Sequence, residues 1–494
     1  MSWKLELDNL ALGGFAPDFH KETYPSYGNK NQAGAMSNMD LTSPGFMTQG
    51  PGLANLTNGT QAAAVTTLIK GITKREVQNS IPFSVGVGGA KVYKITSTTV
   101  TSDGDWPHTI DKAAVTAENA QDVVEYGDYV YYIYGHSSSA GDIGRFDPTG
   151  TSFDDDWGST TPTGAAALQG NASDSIPRQL LAAGNNVMYF TNRRYIGSYD
   201  GTTFDPQALD FPITYVTQSI QWMSDRLWVA VNNNPLGTAA RPNGYIYVWD
   251  GAAGTWEQEI KVNGTVGGIY TKNNVLYVFY REQSSTTTYK LAFVDGSGIN
   301  DLATFTGSLP EHYQISEYKD FLIWNSSGSI YAYGSGHPDT PVRFFQLADG
   351  GYATVGGLSC PLGTPLVAST DGGSNFRLAQ FSGYDTACTW KSLMFDVADN
   401  YKNNGAIDVI RINFETLASG ASVAWRLLNR AGTVIYSDTI SYAKATASPP
   451  LHSLTTAFYP LNGKGADSFR LEFDTATGST TNPVKLRNAK IYGK

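Results

Sequence analysis

Seven times along the chain, a turn built on Asn, Asp or Gly opens onto a run of alternating aromatic and aliphatic residues. The plainest copies are Asn185-Asn186-Val187-Met188-Tyr189-Phe190, Asp225-Arg226-Leu227-Trp228-Val229-Ala230, Asn273-Asn274-Val275-Leu276-Tyr277-Val278 and Lys319-Asp320-Phe321-Leu322-Ile323-Trp324. Looser copies begin at Val92, Tyr129 and Phe376, and successive anchors lie 37 to 58 residues apart. A repeat of about 40 to 50 residues with room for four short strands is the pattern of a propeller. Within a unit such as Tyr245-Ile246-Tyr247-Val248-Trp249-Asp250-Gly251 both strand faces are apolar, as expected when each sheet is covered by its neighbours. The closing Asp-Gly supplies the positive φ that a tight hairpin requires.

Composition agrees with an all-β chain. Only 16% of the 494 residues are charged while 52 are Gly and 29 are Tyr, so the charged faces of long helices are missing; average domains carry roughly 25% charge. A net charge of -10 argues against a surface that grips nucleic acid through phosphate neutralisation. No stretch of eighteen apolar residues exists for membrane insertion, and the charged start Met1-Ser2-Trp3-Lys4-Leu5-Glu6 does not read as a signal peptide. Cys360 and Cys388 are expected to be unpaired, and no cofactor is expected.

Three regions follow. Residues 1–60 mix aromatics with chain breakers and read as an extended N-terminal arm, with Phe15, Phe19, Tyr24, Tyr27, Phe46 and Met47 as its interaction residues. Such apolar side chains need burial, on the arm's own propeller or on a neighbouring subunit. Residues 61–383 read as a seven-bladed β-propeller. Residues 384–494 carry longer alternating strands, among them Ile407-Asp408-Val409-Ile410-Arg411-Ile412-Asn413-Phe414, and read as a C-terminal antiparallel β-sandwich.

The arm segments Tyr24-Pro25-Ser26-Tyr27-Gly28-Asn29 and Leu41-Thr42-Ser43-Pro44-Gly45-Phe46-Met47-Thr48-Gln49-Gly50-Pro51-Gly52, followed by the propeller and a sandwich with Leu417-Ala418-Ser419-Gly420-Ala421-Ser422-Val423, resemble the β-propeller structural proteins of tailed bacteriophages. The likeness spans the chain in architecture but only short stretches in motif. It implies a non-enzymatic virion component assembled in the bacterial host cytoplasm. It further implies a homo-oligomeric ring at the neck, tail nozzle or tail periphery, in contact with portal, adaptor or tail proteins. The alternative is a glycan-binding or glycan-cleaving propeller for host-surface recognition, with Trp228, Trp249, Trp256 and Trp324 as sugar platforms if exposed.

Catalytic patterns are sparse. Ser369-Thr370-Asp371-Gly372-Gly373-Ser374-Asn375-Phe376 fits the Asp-box turn of sialidase-like propellers, in which the Asp caps backbone donors, but no arginine cluster accompanies it. His136 beside Ser137, Ser138 and Ser139 reads as a solvated turn, and His20, His108, His312, His337 and His452 are scattered without metal-ligand spacing. Asp154-Asp155-Asp156 lacks the spaced pattern of a calcium loop and reads as a solvated patch.

Overall fold

The computed structural model describes residues 3–7, 33–37, 39–42, 46–56, 65–73, 83–97, 99–102, 104–112, 118–136, 140–149, 152–169, 176–233, 243–296, 298–334, 343–349, 354–370, 375–385, 388–392, 394–396, 405–466, 468–475 and 480–493. The chain is all-β: a propeller, with a β-sandwich behind it. From Gly71 to Tyr384, seven four-stranded antiparallel sheets follow one another. Their inner strands are Gly71–Ile72, Glu118–Tyr126, Leu180–Ala182, Tyr215–Met223, Gly264–Lys272, Ile315–Tyr318 and Thr354–Ser359. These meet in cyclic order, and the last touches the first.

The repeated turns do the work expected of them. Ser224 and Asp225 (φ 52° and 56°), Asn273 and Asn274 (49° and 58°), and Lys319 and Asp320 (47° and 62°) are all left-handed. That is the backbone of the type I′ hairpin that joins a first strand to a second. On the hairpin between the third and fourth strands of the third sheet, Asp200 Oδ1 accepts from the Thr202 and Thr203 N–H groups at 2.8 and 2.7 Å. Two anchors, Val92 and Phe376, stand instead on third strands, Lys91–Ile95 and Phe376–Tyr384. Hence their copies looked loose. Counted from the second strands Ser84–Gly88 and Leu366–Thr370, the steps to Tyr129 and from Phe321 are both 45 residues.

Neighbouring sheets are clipped by buried amides. Gln121 accepts from the Arg178 N–H (3.1 Å) and donates to Ile176 O (3.1 Å). Gln179 accepts from the Ile220 N–H (2.8 Å) and donates to Ile220 O (3.0 Å). Gln314 donates to Val355 O at 3.1 Å. Each amide replaces a missing strand-to-strand pairing between inner strands, satisfying backbone groups that burial would otherwise penalise. Where the ring closes, the Gly357 N–H donates directly to Ile69 O at 2.9 Å. A Cβ there would stand 2.0 Å from Lys70 O, so only glycine permits the approach.

Of residues 1–60, expected to form an extended N-terminal arm, the described segments include strands of the other two regions. Trp3–Leu7 is the edge strand of the sandwich sheet that continues through Leu486–Gly493, Gly405–Phe414 and Thr456–Ala466. Ala33–Ser37 pairs with Thr389–Ser392 at the edge of the other sandwich sheet. Pro51–Asn55 pairs with Phe376–Tyr384 as outer strand of the last propeller sheet. Met47 exchanges backbone hydrogen bonds with Leu486 at 2.8 and 2.9 Å and is fully buried, and Lys485 Nζ sits 4.9 Å from the centre of the Phe46 ring. Met47 is thus buried within the chain against the sandwich, while Phe46 is half-buried there. Phe15, Phe19, Tyr24 and Tyr27 lie outside the described residues. A single buried cluster runs from Phe345 and Leu347 of the sixth propeller sheet through Met39 and Met47 to Trp390, Trp425 and Ile491 of the sandwich. Cys360 and Cys388 are unpaired, and burial pushes the Cys388 thiol up to about 11.

Candidate functional site

Parallel packing of the inner strands leaves a cavity of about 200 Å³ on the propeller axis. Residues from six of the seven sheets line it, from Ile72 of the first to Ser359 of the last. The polar groups are Asp122, Glu125, Gln179, Gln221, His312, Tyr313 and Ser359, set among Val123, Leu180 and Leu358. A β-bulge between Ala120 and Asp122 gives the second inner strand two tasks: Gln121 clips the third sheet, and Asp122 lines the cavity. Asp122 Oδ2 accepts from the Leu180 N–H at 2.9 Å and lies 3.8 Å from His312 Nε2. The Leu180 and Val123 N–H groups both donate to this carboxylate.

Ser359 is the telling member. It is 3% exposed and lines the cavity, and among the described residues its Oγ has no hydrogen-bond partner. A buried hydroxyl left in that state is disfavoured by about 1–3 kcal/mol unless something fills the cavity and pairs with it. Beside the cavity, Lys70 stands 5.9 Å from the centre of the Tyr313 ring. Burial draws its ammonium below the usual lysine range, against the pull of Glu311. Burial pushes the Tyr313 phenol far above its ordinary range, reinforced by its hydrogen bond to Glu311, so it stays neutral. The site therefore offers acceptors, amides and neutral hydroxyls. Among the described residues no group of three or more His, Cys, Asp or Glu is arranged to hold a metal ion.

The histidines are not the solvated turns that their sequence contexts suggest. His312 lines the axial cavity. His136 is 3% exposed and faces Glu118 across the ladder, with Nε2 3.9 Å from its Oε1. His108 stacks on Phe153 at 3.7 Å and meets Asp155 at 2.9 Å. His452 is held between the Ser441 N–H and Ser453 O. His20 and His337 lie outside the described residues. The Asp154-Asp155-Asp156 run is likewise no solvated patch. Asp155 takes hydrogen bonds from His108, the Tyr132 hydroxyl and the Asp111 N–H. Burial works against its charge, but those bonds outweigh burial and hold the carboxyl below its usual range. Of the four tryptophans weighed as sugar platforms, Trp249 and Trp324 are buried, and Trp256 packs on Tyr247 and Phe211 at 4.7 and 5.5 Å. Trp228 is half-buried and donates to Met223 O at 3.2 Å. Asp371 to Ser374 of the Asp-box segment lie outside the described residues.

No protein-family model and no curated protein sequence matches the chain. Many solved structures share its fold. An exo-β-1,3-galactanase from Phanerochaete chrysosporium is 10% identical over 67% of this chain and 98% of its own, with a TM-score of 0.28. A family 43 arabinoxylan arabinofuranohydrolase from Bacillus subtilis is 10% identical over 97% of this chain and 99% of its own, at 0.29. The extracellular domains 1–2 of Drosophila semaphorin 1a are 7% identical over 67% and 88%, at 0.41. Identities this low speak to fold alone. They do correct one expectation: glycoside hydrolases stand among these relatives in fold, so a chain without enzymatic activity does not follow from the propeller architecture.

Proposed function

We propose that the chain is a glycan-recognising propeller whose axial cavity takes one sugar ring. The unpartnered Ser359 hydroxyl facing a cavity lined by carboxylates, amides and aliphatic side chains carries the reading. Sugar hydroxyls donate to carboxylate and amide oxygens and accept from a serine hydroxyl, while the ring's C–H faces lie on Val123, Leu180 and Leu358. With Asp122 and Glu125 on the wall, a neutral sugar is favoured over an anionic one.

The resemblance to tailed-phage propellers puts this recognition at a host surface, carried by a virion protein in a ring; mass spectrometry of purified particles tests that setting. The binding itself is tested by a glycan array followed by hydrolysis assays on the polysaccharides that bind. Hits confined to neutral glycans support the reading, and product release would extend it to cleavage. An array without neutral-sugar hits overturns it.

A further inference from the structure

The outer face of the four-stranded sandwich sheet presents a grid of side chains, of which Phe458 and Pro460 are exposed and the others half-buried among the described residues. The registers of Gly405–Phe414 with Thr456–Ala466 and with Leu486–Gly493 align three rows. Pro460, Val409 and Tyr492 form the first row; Phe458, Arg411 and Lys490 the second; Thr456, Asn413 and Asn488 the third. Alternation puts Ile410, Ile412, Ala457, Tyr459, Ala489 and Ile491 into the core behind them. Phe458 is 56% exposed at the centre of one edge, where an aromatic ring has no structural reason to be. The Arg411 guanidinium lies 5.2 Å from the centre of that ring, and its Nε donates to Asn413 Oδ1 at 3.0 Å. Asn413 in turn donates to Asn488 at 2.5 Å and accepts from Thr456 at 3.0 Å.

We infer that this face is a second carbohydrate-binding surface, specific for an acidic polysaccharide whose sugar rings carry carboxylates. It stands apart from the axial cavity and does not rest on the reading of that cavity. The rows hold two cations, and the carboxylate beside them is Asp408, which the bulge between Ile407 and Val409 sets next to Val409, so the face keeps a positive excess in a chain of net charge -10. Arg411 is pre-ordered by the ring and by Asn413, so its fork is aimed before a carboxylate arrives. Phe458 offers its ring to the C–H face of a pyranose, and the amide row takes hydroxyls. At the usual strand spacing and rise the grid spans roughly 10 by 14 Å, a footprint for a short run of sugar units and not for a folded protein partner.

The test is isothermal titration of the full chain with polygalacturonate, alginate and hyaluronate, with fully methyl-esterified polygalacturonate as the uncharged control. At least one polyuronate is expected to bind, tenfold or more weaker to Phe458→Ala and to Arg411→Gln, and weaker with added salt. Ser359→Ala is expected to leave that binding unchanged, which separates this surface from the axial cavity. No binding by the wild type, equal binding of the esterified polymer, or full binding by both face variants overturns the inference. Thermal melts of the variants, expected within a few degrees of wild type, exclude unfolding as the cause.

Discussion

Ser359, buried, and Asp155, half-buried, make opposite predictions. Replacing Ser359 by Ala removes a hydroxyl with no partner among the described residues, so thermal stability should hold or rise, by up to about 1 kcal/mol, while sugar affinity falls. A serine with a purely structural role would cost stability on removal, and calorimetric melts with and without ligand separate the two. Asp155, by contrast, accepts from His108, Tyr132 and the Asp111 N–H, and Asp155→Asn should destabilise the chain by about 1.5–3 kcal/mol at pH 7. Its folded pKa lies below the unfolded value, near 3.9, so the stabilisation is complete above that value and is lost as the pH falls through the folded pKa. Melting curves of wild type and variant should therefore converge toward pH 3; a gap that stays constant from pH 7 to 3 would count against the ionised form as the source.

Between neighbouring sheets the predictions concern the joints. Gln179→Ala strands the N–H and C=O of Ile220, a residue with no exposed surface, at a cost of about 1–3 kcal/mol. Urea unfolding should show it, whereas changes at exposed positions of the outer strands, such as Gln207, should stay within about 0.5 kcal/mol. Gly71→Ala would put a Cβ 2.5 Å from Asp122 Cα. It should destabilise by about 1–3 kcal/mol and disturb the cavity wall, so affinity and stability fall together. The hairpins were legible in the sequence because positive φ selects Asn, Asp and Gly so strongly. The clips were not. A glutamine at an inner-strand bulge looks like any polar residue in a strand, and its partner lies 41 residues away for Gln179 and Gln314 alike. The same distance hid the cavity, since Asp122, His312 and Ser359 belong to sheets far apart in the chain and share no motif.

Taken entire, the chain is held together by its first residues. The expectation of an apolar arm docked on its own propeller or on a neighbouring subunit rested on side chains that need burial, and for Met47 that need is met in cis, on the sandwich. A composition argument recognises that such a segment must dock, but not where. Strand pairing decides it: three short strands, 3–7, 33–37 and 51–55, complete one sheet each in the sandwich and the propeller. A chain starting at residue 57 should lose the outer strand of the last propeller sheet and both sandwich edges. It is expected to melt without a cooperative transition and to be cut by protease in both bodies. A truncated chain that melts cooperatively at the wild-type temperature would show that these strands are ornament.

Sugar occupancy of the axial cavity is best read by titrating the array's strongest neutral glycan into wild type and Ser359→Ala while following heat. Saturable one-to-one binding, weakened at least several-fold in the variant with its melting temperature intact, is the predicted result. Equal affinity in the two proteins, or no saturable heat with wild type, would contradict an axial sugar site.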